Sequence, residues 1–174
     1  GSVHWKLNRL FSLELGNERQ FLGEGHRSLF LSANSKPFPY LRGTIEFWNL
    51  KYFHQVGLLR DINNEAPHNR LQRKNLVLHY LSWNISESIN LGLFEAIVWR
   101  HRDSTYNRGI DPNYFNPVIF LRPIEFARGS EDNALMGLAG SIALSPSSKI
   151  YGQFIIDEFN LQIISENPGW WGNK

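Results

Sequence analysis

The chain of 174 residues has the length of one domain, and its 18 basic and 16 acidic side chains leave a formal net charge of only +2. A charge this small and this evenly spread excludes an extended nucleic-acid-binding surface. The absence of cysteine excludes disulfides, thiolate metal sites and cysteine nucleophiles. Aromatic residues make up 14% of the chain, which is typical of membrane-interface girdles or sugar-binding surfaces.

The first segment alternates between apolar and polar residues. Val3, Trp5, Leu7, Phe11, Leu13 and Leu15 occupy odd positions, and only Arg9-Leu10 breaks the pattern. A period of two places alternate side chains on opposite faces of a strand. The segment from Val3 to Gly16 is therefore predicted to be one long strand. Membrane-spanning strands have about 9–11 residues, so its length favours a membrane protein.

Three hairpins are predicted further along the chain. Their strands alternate in the same way, and short turn-forming segments join them. They are Arg42–Phe47 with Leu50–Arg60 through Trp48-Asn49, Lys74–Trp83 with Ile89–Arg100, and Ala134–Ser145 with Lys149–Asp157 through the Ser145–Ser148 turn. Another strand is predicted over Ser28–Ser32.

Longer polar connections alternate with these short turns. They are Ser32–Tyr40, Asp61–Arg73 and His101–Asn113. This asymmetry is typical of an outer-membrane β-barrel, whose long loops lie outside the cell. No repeat or linker divides the chain, so residues 1–174 are predicted to form one antiparallel all-β unit. Alternation alone does not separate a barrel from a soluble β-sandwich.

Four charged residues lie within or beside apolar runs near the end of the chain. They are Arg122, Glu125, Asp157 and Glu158. At membrane depth such groups must face the lumen or pair with one another, because exposing them to lipid is costly. They are predicted to form a lumenal charged network.

Candidates for catalysis are weak. Glu14, Glu18, Glu24 and His26 lie within one stretch, and paired carboxylates can hydrolyse glycosidic bonds, but strand ends in any β protein carry such groups. The six histidines show no metal-binding spacing, so neither a metal ion nor a cofactor is expected. The sequence thus predicts a protein that is not an enzyme.

Two glycines flank Glu24 in the motif Gly23-Glu24-Gly25-His26-Arg27. Glycine allows backbone angles that other residues resist, so the motif predicts an irregular turn or bulge. We expect Glu24 or Arg27 to make a structural hydrogen bond to a neighbouring loop.

Three segments of the chain resemble one known family. Residues Gly16–Ser32, the segments Tyr114–Val118 and Arg122–Phe126, and Tyr151–Phe159 with the closing Gly169–Lys174 are similar to the capsule-assembly (Wzi-like) outer-membrane proteins. That family includes gliding-motility-type barrels of Bacteroidetes. The resemblance implies a bacterial outer-membrane β-barrel with a non-enzymatic role in binding or assembling surface polysaccharide. Family members are longer, so the chain is expected to be an internal portion of a larger barrel.

Polysaccharide binding is expected at the long connections, because these reach the cell exterior in a barrel. Their cationic side chains Arg70, Arg73, Arg102 and Arg108 lie among asparagines and could grip an acidic, hydroxyl-rich polymer. Two alternatives remain at this stage. One is a soluble carbohydrate-binding β-sandwich that stacks sugars on Trp5, Trp48, Trp83 and Trp99; the other is a polysaccharide-active enzyme.

Overall fold

A computed structural model of the chain describes residues 1–60, 73–101, 109, 112–116 and 133–157. Within these ranges the protein is almost entirely β-strand. The strands are β1 (Ser2–Lys6), β2 (Phe11–Glu18), β3 (Phe38–Phe47), β4 (Leu50–Arg60), β5 (Arg73–Asn84), β6 (Ile89–Arg100), β7 (Asn133–Ser145) and β8 (Ser148–Asp157). One 3₁₀ turn, Pro112–Phe115, follows β6. No helix in these ranges is long and apolar enough to cross a membrane.

The eight strands form a single antiparallel sheet in the order β1 to β8, each paired with its sequence neighbour. The predicted all-β antiparallel class is confirmed at this level. The sheet is an open meander: among the described strands, β1 and β8 are its two edges and do not pair with each other.

Short and long connections leave the sheet at opposite ends. The short turns follow β1, β3, β5 and β7, whereas the connections after β2, β4 and β6 span residues 19–37, 61–72 and 101–132. Since successive strands run in opposite directions, all the short turns lie at one end of the sheet. We call this the short-turn end, and the other the long-connection end. The predicted alternation of short and long connections is confirmed for the described strands, but the first long connection is 19–37 and not Ser32–Tyr40.

The prediction of one strand from Val3 to Gly16 is wrong. The segment is a hairpin in which Trp5 of β1 lies opposite Leu13 of β2. The side chain of Asn8 makes the turn, because its Oδ1 accepts hydrogen bonds from the backbone nitrogens of Leu10 and Phe11, both at 2.8 Å. The break at Arg9-Leu10 marked this turn.

The three later hairpins are confirmed, including the pairing of β7 with β8 through the turn at 146–147. The predicted strand at Ser28–Ser32 is wrong. Only Leu31 makes a bridge there, with Leu22, because residues 19–37 fold back on themselves instead of adding to the sheet.

Two clusters of buried side chains lie on opposite faces of the sheet. The larger cluster includes Phe38, Tyr40, Phe53, Leu78, Tyr80 and Phe94 and is covered by Leu22, Phe30 and Leu31 of the first long connection. The smaller one includes Val77, Ile97, Trp99 and Ala134 and is covered by Tyr114. We call residues 19–37 the strap, the face beneath it the strap face, and the opposite face the apolar face.

Candidate functional site

Exposed apolar side chains on the strands are concentrated on the apolar face. The cross-strand register assigns to this face Val3, Trp5, Phe11, Leu13, Leu15, Leu41, Phe47, Leu58, Trp83, Leu91, Leu138, Ile142, Leu144, Ile150 and Phe154. Among the described strands, the strap face exposes one large apolar side chain, Tyr151. A soluble protein rarely exposes so extensive an apolar surface, which indicates contact with lipid or with another protein.

Aromatic residues form a row along the short-turn end of this face. Trp5 and Phe11 lie beside the first turn, Phe47 is the last residue of β3, and Trp83 is the last but one of β5. Trp48, in the turn between β3 and β4, is 80% exposed. Membrane barrels place aromatic side chains in such rows at the level of the lipid headgroups.

Trp48 also has an unusual backbone conformation, with φ at 53°. Left-handed angles suit glycine at this position of a two-residue hairpin turn and are unfavourable for a bulky side chain. A strained, largely exposed tryptophan is not explained by packing within the sheet. Strained residues of this kind cluster at functional positions.

The apolar face is covered on its middle strands, β4, β5 and β6. Tyr114 packs on Trp99 with ring centroids 4.9 Å apart. The Gly109 carbonyl accepts hydrogen bonds from Asn75 Nδ2 at 2.9 Å and Trp99 Nε1 at 3.1 Å. Residues from the third long connection therefore lie against this face at its long-connection end, and the exposed apolar surface lies around them.

The strap crosses the opposite face as far as β8. The Phe30 ring stacks on Phe94 of β6 with a centroid separation of 4.6 Å. Gln153 of β8 donates through Nε2 to the Glu24 carbonyl at 2.6 Å and accepts through Oε1 from the Leu29 nitrogen at 2.7 Å. Lys149 adds an ion pair to the Glu24 carboxylate at 2.6 Å. The strap is thus fixed to the far edge of the sheet.

The glycines of the motif fit this docking. Gly23 and Gly25 have φ of 116° and 94°, and a Cβ on Gly25 would overlap the Tyr151 ring. The backbone of Gly23–Arg27 is irregular, as the sequence predicted, but Glu24 hydrogen-bonds strand β8 and not a neighbouring loop. His26 and Arg27 are exposed.

A partly buried polar network holds the other end of the strap. The Arg42 guanidinium donates to Gln55 Oε1 at 2.8 Å, to Glu14 Oε2 at 3.2 Å and to Gln20 Oε1. The Tyr40 hydroxyl donates to the other oxygen of Glu14. Since Gln20 belongs to the strap and the other residues to the sheet, Arg42 joins the two.

Of the predicted polysaccharide-binding residues, the described part of the chain contains Arg73. It is exposed and begins β5 at the long-connection end. Arg70, Arg102 and Arg108 lie outside the described residues, as do Arg122, Glu125 and Glu158 of the predicted charged network. Asp157 is exposed at the end of β8, opposite Leu135, on the face that does not carry Leu138 and Ile142.

Sequence reasoning missed the Arg42 network. Of its members only Glu14 was a candidate, and then as a catalytic group. Glu14 lies opposite Arg42 across β2 and β3, and Arg42 opposite Gln55 across β3 and β4, so cross-strand register creates the network. The polar residues at alternate positions of β3 from Tyr40 to Glu46 were the available signal.

Comparisons of the chain with models of known protein families, with curated proteins and with solved structures find no match.

Proposed function

We propose that this chain forms part of the wall of a bacterial outer-membrane β-barrel. The observation that carries the proposal is the exposed apolar face with its row of aromatic residues at the short-turn end. In this arrangement the apolar face contacts lipid and the strap face lines the lumen. The partly buried ion pair between Arg42 and Glu14 supports that orientation, because charged groups in barrel walls face inward.

The two ends of the sheet support a direction across the membrane. Outer-membrane barrels have short turns on the periplasmic side and long loops outside the cell. The short-turn end would therefore lie at the periplasmic interface, where Trp48 and its aromatic neighbours meet the headgroups. The long-connection end, with Arg73, would lie outside the cell.

The open edges of the sheet set a requirement on this arrangement. Unpaired backbone N–H and C=O groups are not tolerated in the hydrocarbon region, so in a bilayer β1 and β8 must each pair with a further strand. The proposal therefore includes additional strands that close the wall into a barrel.

The proposed activity is non-enzymatic binding or assembly of surface polysaccharide, or a related role in gliding motility. This part of the proposal is based on the resemblance to capsule-assembly proteins and on the cationic side chains of the long connections. Arg73 supports it by its exposure at the proposed extracellular end. The binding set comprises Arg70, Arg73, Arg102 and Arg108.

Arginine substitutions on the two faces of β8 test the proposal. Phe154 on the apolar face and Tyr151 on the strap face are similar in size and exposed to 55% and 47%. The protein that contains this chain together with the strands that close the wall is folded into phospholipid vesicles and unfolded with urea. Phe154→Arg should lower the free energy of unfolding by about 2–4 kcal/mol, the cost of arginine near the bilayer midplane. Tyr151→Arg, the matched control, should cost clearly less.

A second candidate is a soluble carbohydrate-binding sheet module. It is favoured by the polar side chains Tyr52, His79 and Glu95, which lie on the apolar face. Lipid-facing strands avoid such groups at mid-depth, whereas a soluble module buries them under a covering segment. A soluble module would fold without detergent and would not insert into vesicles. Phe154→Arg would change its free energy of unfolding by less than about 0.5 kcal/mol.

A further inference from the structure

Two histidines lie side by side on the covered part of the apolar face. His54 of β4 is directly opposite His79 of β5 in the register of the sheet. Their ring centroids are 4.7 Å apart and the rings are inclined at 41°. Twenty-five positions separate them in sequence, so only the pairing of β4 with β5 brings the two imidazoles together.

Each imidazole is held through one nitrogen. The Nδ1 atom of His79 hydrogen-bonds the Tyr52 hydroxyl at 2.5 Å. The His54 ring hydrogen-bonds the backbone of Tyr114, and because its Nε2 has no partner, the nitrogen engaged is Nδ1. Metal-binding histidines usually have this arrangement. One ring nitrogen hydrogen-bonds a neighbouring group, which fixes the orientation of the ring, and the other nitrogen binds the metal.

The remaining nitrogens are buried without partners. Nε2 of His54 and Nε2 of His79 are both inaccessible to solvent and make no hydrogen bond in the structure, and the His79 side chain is completely buried. Buried polar atoms are nearly always paired, so two unpaired nitrogens on imidazole rings that lie side by side indicate a ligand.

We infer that His54 and His79 bind one divalent transition-metal ion through their Nε2 atoms. Metal–nitrogen bonds of about 2.0–2.1 Å with N–metal–N angles of roughly 90–110° would place the two ring centroids about 4.5–5.2 Å apart. The observed separation of 4.7 Å lies in this range. With the proton on Nδ1 of each ring, both Nε2 atoms present lone pairs to the ion.

Copper(II) is the ion that this site should prefer. Two cis imidazoles suit its tetragonal coordination, and for nitrogen ligands its affinity exceeds those of nickel(II) and zinc(II). Within the described residues no group of three His, Asp or Glu side chains is placed to hold a metal. Small ligands or water therefore complete the coordination. This inference does not depend on the proposed membrane location.

Copper(II) titration of the purified chain, followed by calorimetry, tests the site. The imidazole of His4 is exposed on β1 and would compete for copper(II), so every protein carries His4→Ala. We expect one equivalent to bind, His54→Ala and His79→Ala each to weaken binding at least 100-fold, and Tyr52→Phe about 10-fold. His26→Ala removes an exposed histidine of the strap and should leave the affinity within threefold.

Electron paramagnetic resonance of the His4→Ala protein with one equivalent of copper(II) provides a readout that does not require the histidine variants to fold. Hyperfine splitting from two imidazole nitrogens is expected, and His54→Gln should reduce it to one. A spectrum with a single nitrogen, or affinity unchanged by His54→Ala, would overturn the assignment. The absence of any binding in the His4→Ala protein would overturn it as well.

Discussion

Substitution of Arg42 tests most directly how the strap is attached to the sheet. Arg42→Met keeps the volume and the apolar contacts of the side chain but leaves the Glu14 carboxylate, which is 9% exposed, without its cation. Breaking a buried ion pair in this way costs about 3–5 kcal/mol, because an uncompensated charge stays buried. Two glutamine carbonyls, of Gln20 and Gln55, also lose their donor. We expect a loss at the upper end of that range.

The same sheet contains a matched control. The Lys51–Glu46 ion pair joins β3 and β4 at 2.7 Å, but both side chains are exposed. Lys51→Met should therefore cost less than about 1 kcal/mol. Urea unfolding of the two variants, followed by tryptophan fluorescence, gives the comparison directly.

Rescue and proteolysis separate a buried charge from a general packing defect. Adding Glu14→Gln to Arg42→Met removes the orphaned charge and should recover about 1–3 kcal/mol. Trypsin should also cleave the strap at Arg19 and Arg27 faster in Arg42→Met, because Gln20 is released. If Arg42→Met costs no more than Lys51→Met and cleavage is unchanged, the network does not hold the strap.

Three further predictions concern the turn, the motif and the loops. Trp48→Gly should raise the stability of the chain in detergent by about 0.5–1 kcal/mol, because glycine adopts the positive φ without strain. The same substitution should weaken insertion into vesicles, and unchanged insertion would show that Trp48 does not lie at the membrane interface. Gly25→Ala should lower the urea midpoint, since both its φ of 94° and the Tyr151 ring oppose a Cβ, and a neutral result would show that the motif is free to move. Alanine at Arg70, Arg73, Arg102 and Arg108 together should lower capsule retention in cells that insert the protein correctly, and full retention would exclude these residues from polysaccharide binding.

The sequence predicted the sheet better than the site. Alternation and turn residues located the hairpins, because side-chain period and turn chemistry are local properties. The β1–β2 hairpin was missed because its four-residue turn leaves the odd positions apolar on both sides, so that Trp5 and Leu13 face the same way although they lie on different strands. The alternation of apolar and polar residues alone cannot distinguish a continuous strand from a hairpin with a turn of this length.

The buried polar groups escaped prediction for a different reason. Arg42 meets Glu14 across β2 and β3, and His54 meets His79 across a connection of twelve residues. Which residues face each other then depends on register, which the strand pattern does not specify across a long connection. The docking of the strap on β8 could not be predicted for the same reason, because its partners on that strand are more than a hundred residues away in sequence.

The long-range attachment of the strap implies an order of folding. Every pairing in the meander joins sequence neighbours, so each hairpin can form soon after its own residues are available. The bond between Leu29 and Gln153 instead closes a loop of 124 residues, which in a free chain costs about 4 kcal/mol of entropy. That cost falls once the intervening strands are in place, so the strap should dock last. Protection of its amides from hydrogen exchange would then report that all eight strands have assembled.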